Sequence, residues 1–111
     1  MQEISTAVQY NLPIKVFILN NQYMGMVRQW QDLFNEKRYS FVDIDSPDYV
    51  AVAKGYKIEG NSIEERKDLI NALETMLNHD GPYLLEVFVG KENNVFPMVP
   101  QGCGVSEIRL K

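Results

Sequence analysis

Cysteine occurs once in the 111 residues, at Cys103, so an internal disulfide is excluded and nothing asks for an oxidising compartment. Cys103 reads as a plain thiol near a flexible tail of a cytoplasmic chain. Basic residues are also scarce: eleven Lys and Arg stand against fifteen Asp and Glu, for a net charge of −4. No Lys/Arg cluster interrupts this acidity beyond short pairs such as Lys37-Arg38, so a nucleic-acid-binding surface is not expected. Long apolar runs are missing. Val16–Leu19 is far shorter than the ~20 residues a membrane-spanning helix needs. The opening Met1-Gln2-Glu3-Ile4 has no basic region followed by an apolar stretch, so neither a signal peptide nor an anchor is expected, and no membrane partner. Internal repeats and low-complexity segments are absent as well.

What is present is an ordinary globular balance, with 45% apolar and 23% charged residues. A chain of this length suits one small domain, which buries roughly two thirds of its unfolded surface and is modestly stable. Met1–Tyr10 places Ile4, Ala7 and Val8 at helical spacing, and Asn11-Leu12-Pro13 ends that helix. Ile14–Leu19 is β-branched, aromatic and nearly continuous in its apolar character, as expected of a central parallel strand covered on both faces. From Tyr23 to about Asn35, Met26, Val27, Trp30, Leu33 and Phe34 recur at helical spacing on one broad apolar side. Arg28, Gln29, Gln31 and Asp32 take the other side.

Pro47 stands at the start of a short helix carrying Tyr49, Val50, Val52 and Ala53 and ending at Gly55. Tyr56-Lys57-Ile58 reads as a brief strand. Ser62-Ile63-Glu64-Glu65 matches a capping box, which would start a helix continued by Leu69, Ile70, Leu73 and Leu77. Gly81-Pro82 ends it, and Tyr83–Val89 is a third buried strand. The alternation of helices and strands predicts an α/β fold: three layers, α/β/α, around a parallel sheet. Residues 1–92 form that domain and 93–111 an extended C-terminal tail containing Pro97, Pro100, Gly102 and Gly104.

In such sheets ligands bind beyond the carboxyl ends of the strands, which points to the turn Asn20 to Gly25. Two amides there offer neutral oxygen ligands, the following helix presents free N–H groups and a positive dipole end, and Gly25 lets backbone approach a ligand closely. A phosphate-bearing ligand fits this turn, with an Asn oxygen completing the oxygen shell of Mg²⁺. An ordinary Asn-rich turn has the same composition. Trp30 is likewise either a core aromatic or a pocket residue. His79, near a helix end, reads as a solvated surface residue; Glu64, Glu65, Asp68 and Glu74 belong to a charged helical face; Tyr39, Tyr49, Tyr56 and Tyr83 read as packing residues with wet hydroxyls.

Asn11–Lys15, the run from Ile18 through Asn20-Asn21-Gln22-Tyr23-Met24-Gly25-Met26-Val27-Arg28-Gln29-Trp30 to Gln31, Arg38-Tyr39-Ser40, and Asn94–Pro100 together resemble the C-terminal domain of the acetolactate (acetohydroxyacid) synthase catalytic subunit. The resemblance runs from near Met1 to about Gly102 and implies part of a thiamine-diphosphate-binding fold. It implies thiamine-diphosphate-dependent decarboxylation of pyruvate and transfer of the hydroxyethyl unit to a second 2-keto acid, pyruvate or 2-ketobutyrate, in branched-chain amino acid or acetoin formation. By position, Asn21 corresponds to the residue whose side-chain oxygen binds magnesium, and Tyr23 to the one that offers its backbone carbonyl. Met24 and Gly25 fall at the diphosphate, Met26 beside the thiamine rings, and Trp30 where the family shapes the pocket for the second keto acid. Val27 and Phe96–Pro100 line or cover the same pocket. No residue of this sequence takes a catalytic acid, base or nucleophile role.

The first half of the family's cofactor motif, of the Gly-Asp-Gly type, is expected shortly before Met1. The domain that supplies an activating Glu from a neighbouring subunit, and the central domain that holds FAD, lie outside these residues too. The implied partners are therefore the remainder of the synthase subunit and a second subunit in a homo-oligomer, and the chain alone is expected to be inactive. A sheet without the strand preceding Ile14–Leu19 should expose an edge and apolar surface. The alternative is a free-standing, non-catalytic ligand-binding or subunit-interaction domain with an inherited fold.

Overall fold

Three short segments pair as parallel strands in the spatial order β1-β3-β2: β1 Lys15–Asn20, β2 Glu59–Ile63 and β3 Tyr83–Phe88. The computed structural model describes residues 2–110, and these divide into two bodies. The first takes in the described residues up to Gln22 and Asp45–Val89; the second takes in Tyr23–Ile44 and the described residues from Gly90 onward.

The sheet belongs to the first body, together with helices α1 Ile4–Gln9, α3 Tyr49–Gly55 and α4 Leu69–Asn78. Alternation along β3 sends successive side chains to opposite faces, and both faces are covered. Leu84 packs with Ala53 of α3, with Ile58, and with Ile4 and Val8 of α1. Leu85 and Tyr83 pack on the other face with Ala72 and Met76 of α4 and with Ile63. This is the three-layer α/β/α arrangement that the element order predicts. A Cβ on Gly60 would lie 2.9 Å from the Leu84 carbonyl oxygen, so the absence of a side chain there lets β2 sit against β3.

Several local expectations are corrected. The strand expected to be central, β1, lies at an edge of the sheet, and β3 is the central one. Phe17 and Leu19 share a face with Leu85 and Val87 by register, yet are 42% and 63% exposed. Their apolar character suits a covered strand, while the exposed edge matches the second expectation for this sheet. The strand expected at Tyr56–Ile58 is displaced to Glu59–Ile63. Lys57 takes a left-handed backbone (φ 62°) that breaks the extended run, and Ile58 is buried against Ala53 and Leu84.

The capping box expected at Ser62–Glu65 does not form. Ser62 lies inside β2, a 3-10 turn occupies Arg66–Asp68, and α4 begins only at Leu69. The cap that does form is Asp48, whose carboxylate accepts from the Ala51 N–H at 2.8 Å and starts α3. The first helix is shorter than expected, and Met1 of its expected span lies outside the described residues.

The second body contains helix α2, Gly25–Phe34. Its sidedness is the reverse of a core-facing amphipathic helix: Arg28 and Gln29 are buried, whereas Met26, Val27, Trp30 and Phe34 are exposed. The tail explains this. The Gln29 side chain donates to the Val95 carbonyl (2.9 Å) and accepts from the Val95 N–H (2.7 Å), and Asn94 donates to Asp32 at 3.1 Å. Nor is the tail simply extended, since Met98 and Arg109 exchange backbone hydrogen bonds of 2.9 and 2.8 Å. Cys103 is free and exposed.

Candidate cofactor-binding site

On the face of the sheet covered by α1 and α3, the apolar row Val16, Ile18 and Leu84 gives way at the carboxyl end to Asn20, Glu86 and Ser62. Glu86 is buried, and both its oxygens are engaged: Asn20 Nδ2 donates to Oε1 at 2.7 Å and Ser62 Oγ to Oε2 at 3.1 Å. Asn20 is buried too, and its Oδ1 accepts from the Gln22 N–H (2.9 Å) and from Ser46 Oγ (3.2 Å). These residues line a cleft of about 490 Å³ with Asp48, Asn61 and Phe88. Glu86 is not among the site residues expected from the sequence. A single acidic residue within an otherwise apolar strand, Tyr83-Leu84-Leu85-Glu86-Val87-Phe88, was the available signal, because a charge there needs a partner.

The two neighbouring asparagines differ in setting. Asn20 is locked into the sheet, whereas Asn21 is half-buried just past the carboxyl end of β1. Gln22 takes a left-handed backbone, φ 55°, held by the bond from its N–H to Asn20 Oδ1. Such a conformation in a non-glycine residue costs on the order of 1 kcal/mol or more and persists where surrounding contacts dictate it.

The remaining expected site residues belong to the second body. Tyr23 forms an antiparallel bridge with Asp43, and the Met24 N–H bonds the Val42 carbonyl at 2.8 Å. The Lys91 ammonium lies 4.8 Å from the centre of the Tyr23 ring. Gly25 is the first residue of α2, so its N–H and those of Met26 and Val27 are in the turn that lacks intrahelical acceptors. Met26 is 53% and Trp30 37% exposed, so neither is a core residue of this chain. Trp30 packs on Phe34 at 5.4 Å between ring centres, and the Arg109 guanidinium covers Phe34 at 5.1 Å.

Further along α2, the Tyr39 hydroxyl donates to Asp32 Oδ1 at 2.6 Å. That bond, then the one from Asn94, holds the Asp32 carboxyl below its ordinary range, and the same bond raises the Tyr39 hydroxyl. A depressed carboxylate stabilises the folded state above its unfolded pKa, and that contribution is lost as pH falls through the folded value. Tyr39→Phe should therefore move the Asp32 titration upward, towards the ordinary aspartate value, when followed by carboxyl chemical shift. An unmoved midpoint would show that the hydroxyl is not the cause.

Among the described residues, no group of three or more His, Cys, Asp or Glu could hold a metal ion. The donors this turn offers are neutral oxygens, which fit Mg²⁺ only when a charged ligand such as a diphosphate accompanies it. No helix among the described residues is long and apolar enough to cross a membrane.

A parallel three-stranded sheet covered by helices on both faces places the first body in the α/β class. The chain belongs to the family described as thiamine pyrophosphate enzyme, C-terminal TPP binding domain, which it matches over residues 1–87. It is 45% identical over 112 aligned residues to the acetolactate synthase isozyme 2 large subunit of Escherichia coli (strain K12), covering 100% of this chain and 20% of that one. It is 41% identical to the mitochondrial acetolactate synthase catalytic subunit of Saccharomyces cerevisiae, covering 96% of this chain and 16% of that one. The chain thus spans a fifth or less of the length of these relatives. A solved structure, the thiamine diphosphate-dependent 4-hydroxybenzoylformate decarboxylase of Rhodococcus jostii RHA1, superposes with a TM-score of 0.68 at 30% identity, covering 78% of this chain and 16% of that one.

Proposed function

We propose that this chain is the C-terminal cofactor-binding part of an acetolactate synthase catalytic subunit, and that it acts together with the remainder of that subunit and a second subunit in a homo-oligomer. The observation that supports this most directly is the run from Asn20 to Trp30, set at the carboxyl end of a parallel strand in a chain of the thiamine pyrophosphate family. The reaction is decarboxylation of pyruvate and transfer of its two-carbon unit to pyruvate or 2-ketobutyrate. Bound thiamine diphosphate supplies the electron sink for that chemistry. The FAD of the family belongs to a domain outside this chain. A cytoplasmic location is part of the same reading, which the single free thiol of Cys103 suits.

In this assignment Asn21 holds Mg²⁺ through its side-chain oxygen and Tyr23 through its backbone carbonyl, so the ion offsets diphosphate charge. Met24 and Gly25 receive the diphosphate, with the first-turn N–H groups of α2 as donors. Met26 supports the thiamine rings, and Val27 and Trp30 line the acceptor pocket with Phe96–Pro100. Their exposure on α2 leaves these side chains available to a ligand. All are binding or orienting groups; none moves a proton.

Transplanting residues 1–111 in place of the aligned segment of the Escherichia coli relative tests this. The chimera should form acetolactate from pyruvate when thiamine diphosphate and Mg²⁺ are supplied. A folded chimera that consumes no pyruvate would favour a non-catalytic interaction domain. In the same chimera, Trp30→Leu should shift the ratio of 2-ketobutyrate to pyruvate used as acceptor by roughly tenfold, the scale on which one pocket contact discriminates. An unchanged product ratio would remove Trp30 from the pocket.

A further inference from the structure

We propose that Glu86 is a positioning residue for the magnesium–diphosphate site, acting through Asn20 to fix the turn that presents Asn21; this rests on the reading of that turn given above. Glu86 is 4% and Asn20 7% exposed, so neither side chain relies on water for its partners. A carboxylate only accepts, so the side of the Asn20 amide that meets Glu86 Oε1 must be the NH₂ group, at 2.7 Å. That choice leaves Asn20 Oδ1 facing the chain beyond β1, where it takes the Gln22 N–H at 2.9 Å. Asn21 is the one residue between the two ends of this ring. Its backbone is therefore set by a bond whose polarity is dictated from the central strand.

Ser62 holds the other carboxylate oxygen at 3.1 Å and Ser46 braces Asn20 Oδ1 at 3.2 Å, so β2 and the Ser46 segment brace the buried Asn20–Glu86 pair from its two ends. Removing a carboxylate from water in this layer is costlier than burying a leucine, as β3 does at Leu84 and Leu85. Packing alone does not account for Glu86. Fixing the direction of Asn20 does.

The relay predicts a reciprocal pair of variants in the ¹⁵N-labelled chain. Asn20→Asp sets carboxylate against carboxylate, so Gln22 amide exchange should rise by about tenfold, the scale of one lost hydrogen bond. The response of the Asn21 amide to millimolar thiamine diphosphate with Mg²⁺ should weaken in parallel. Adding Glu86→Gln to Asn20→Asp returns a donor to the facing position and should restore both signals, although neither substitution fills a cavity or changes a core volume. Glu86→Leu should lose Gln22 protection while the melting temperature is held or raised.

Equal exchange in Asn20→Asp and the unsubstituted chain, or a double variant no better protected than the single, would overturn the relay. So would Gln22 protection that persists in folded Glu86→Leu, which also decides the matter if Asn20→Asp does not fold. If the unsubstituted chain shows no Asn21 response to the cofactor with Mg²⁺, the magnesium–diphosphate reading fails instead, and the exchange comparison still decides whether Glu86 sets the turn.

Discussion

Leu85→Ala should destabilise the chain by about 2–5 kcal/mol, the largest stability loss expected of any single truncation here. Leu85 is fully buried at the middle of the central strand, where it meets Ala72 and Met76 of α4 and Ile63 of β2. Removing its isobutyl group takes away the contact that joins all three, and neighbours anchored in a strand and a helix collapse little into the space. Small domains have roughly 5–15 kcal/mol of stability in total, so much of the margin goes. Urea unfolding followed by far-UV circular dichroism reads the change directly. A loss below about 1 kcal/mol would mean that the α4 face of β3 is less tightly filled than the burial indicates.

The second large effect concerns binding and leaves stability nearly untouched. Asn21→Ala should weaken magnesium-dependent thiamine diphosphate binding by about 100-fold in the chimeric synthase, since even outer-shell partners of a metal ligand are worth 10–100-fold. Asn21 is half-buried at the strand end, so its truncation should disturb the sheet less than truncation of the buried Asn20. The contrast is itself informative. Adjacent, chemically identical residues should give a binding defect at Asn21 and a defect in turn order at Asn20. Isothermal titration with the cofactor at saturating Mg²⁺ measures the first, and an affinity within threefold of the unsubstituted protein would count against Asn21 as a ligand.

How much of this could be read from the residues depended on the range of the interaction involved. The layered α/β/α architecture was legible, because Ile14–Leu19 and Tyr83–Val89 have strand chemistry and the helices carry apolar residues at helical spacing. Position within the sheet was not. A covered strand and an edge strand share one composition, and only the pairing order shows β3 at the centre. Ser62-Ile63-Glu64-Glu65 has the local pattern of a helix start, but Ser62 finds a better partner in the buried Glu86, and strand pairing with β3 outweighs the cap.

Helix α2 shows the same limit from the other side. Its apolar stripe was correctly located, yet Gln29 is buried because Val95, far along the chain, satisfies both ends of its amide. No periodicity reports a contact of that kind. At the candidate site the doubled asparagine was visible, while the locking of Asn20 into the sheet was not, since it depends on a glutamate 66 positions away.

The measurement closest to the central claim is a titration of the ¹⁵N-labelled chain with thiamine diphosphate, with and without Mg²⁺. Progressive shifts at Asn21, Tyr23, Met24 and Gly25 that require both components together are the expected result. Shifts confined to residues elsewhere, or none in this turn at any concentration, would contradict the assignment of Asn20–Gly25 as a cradle for the magnesium-bound diphosphate.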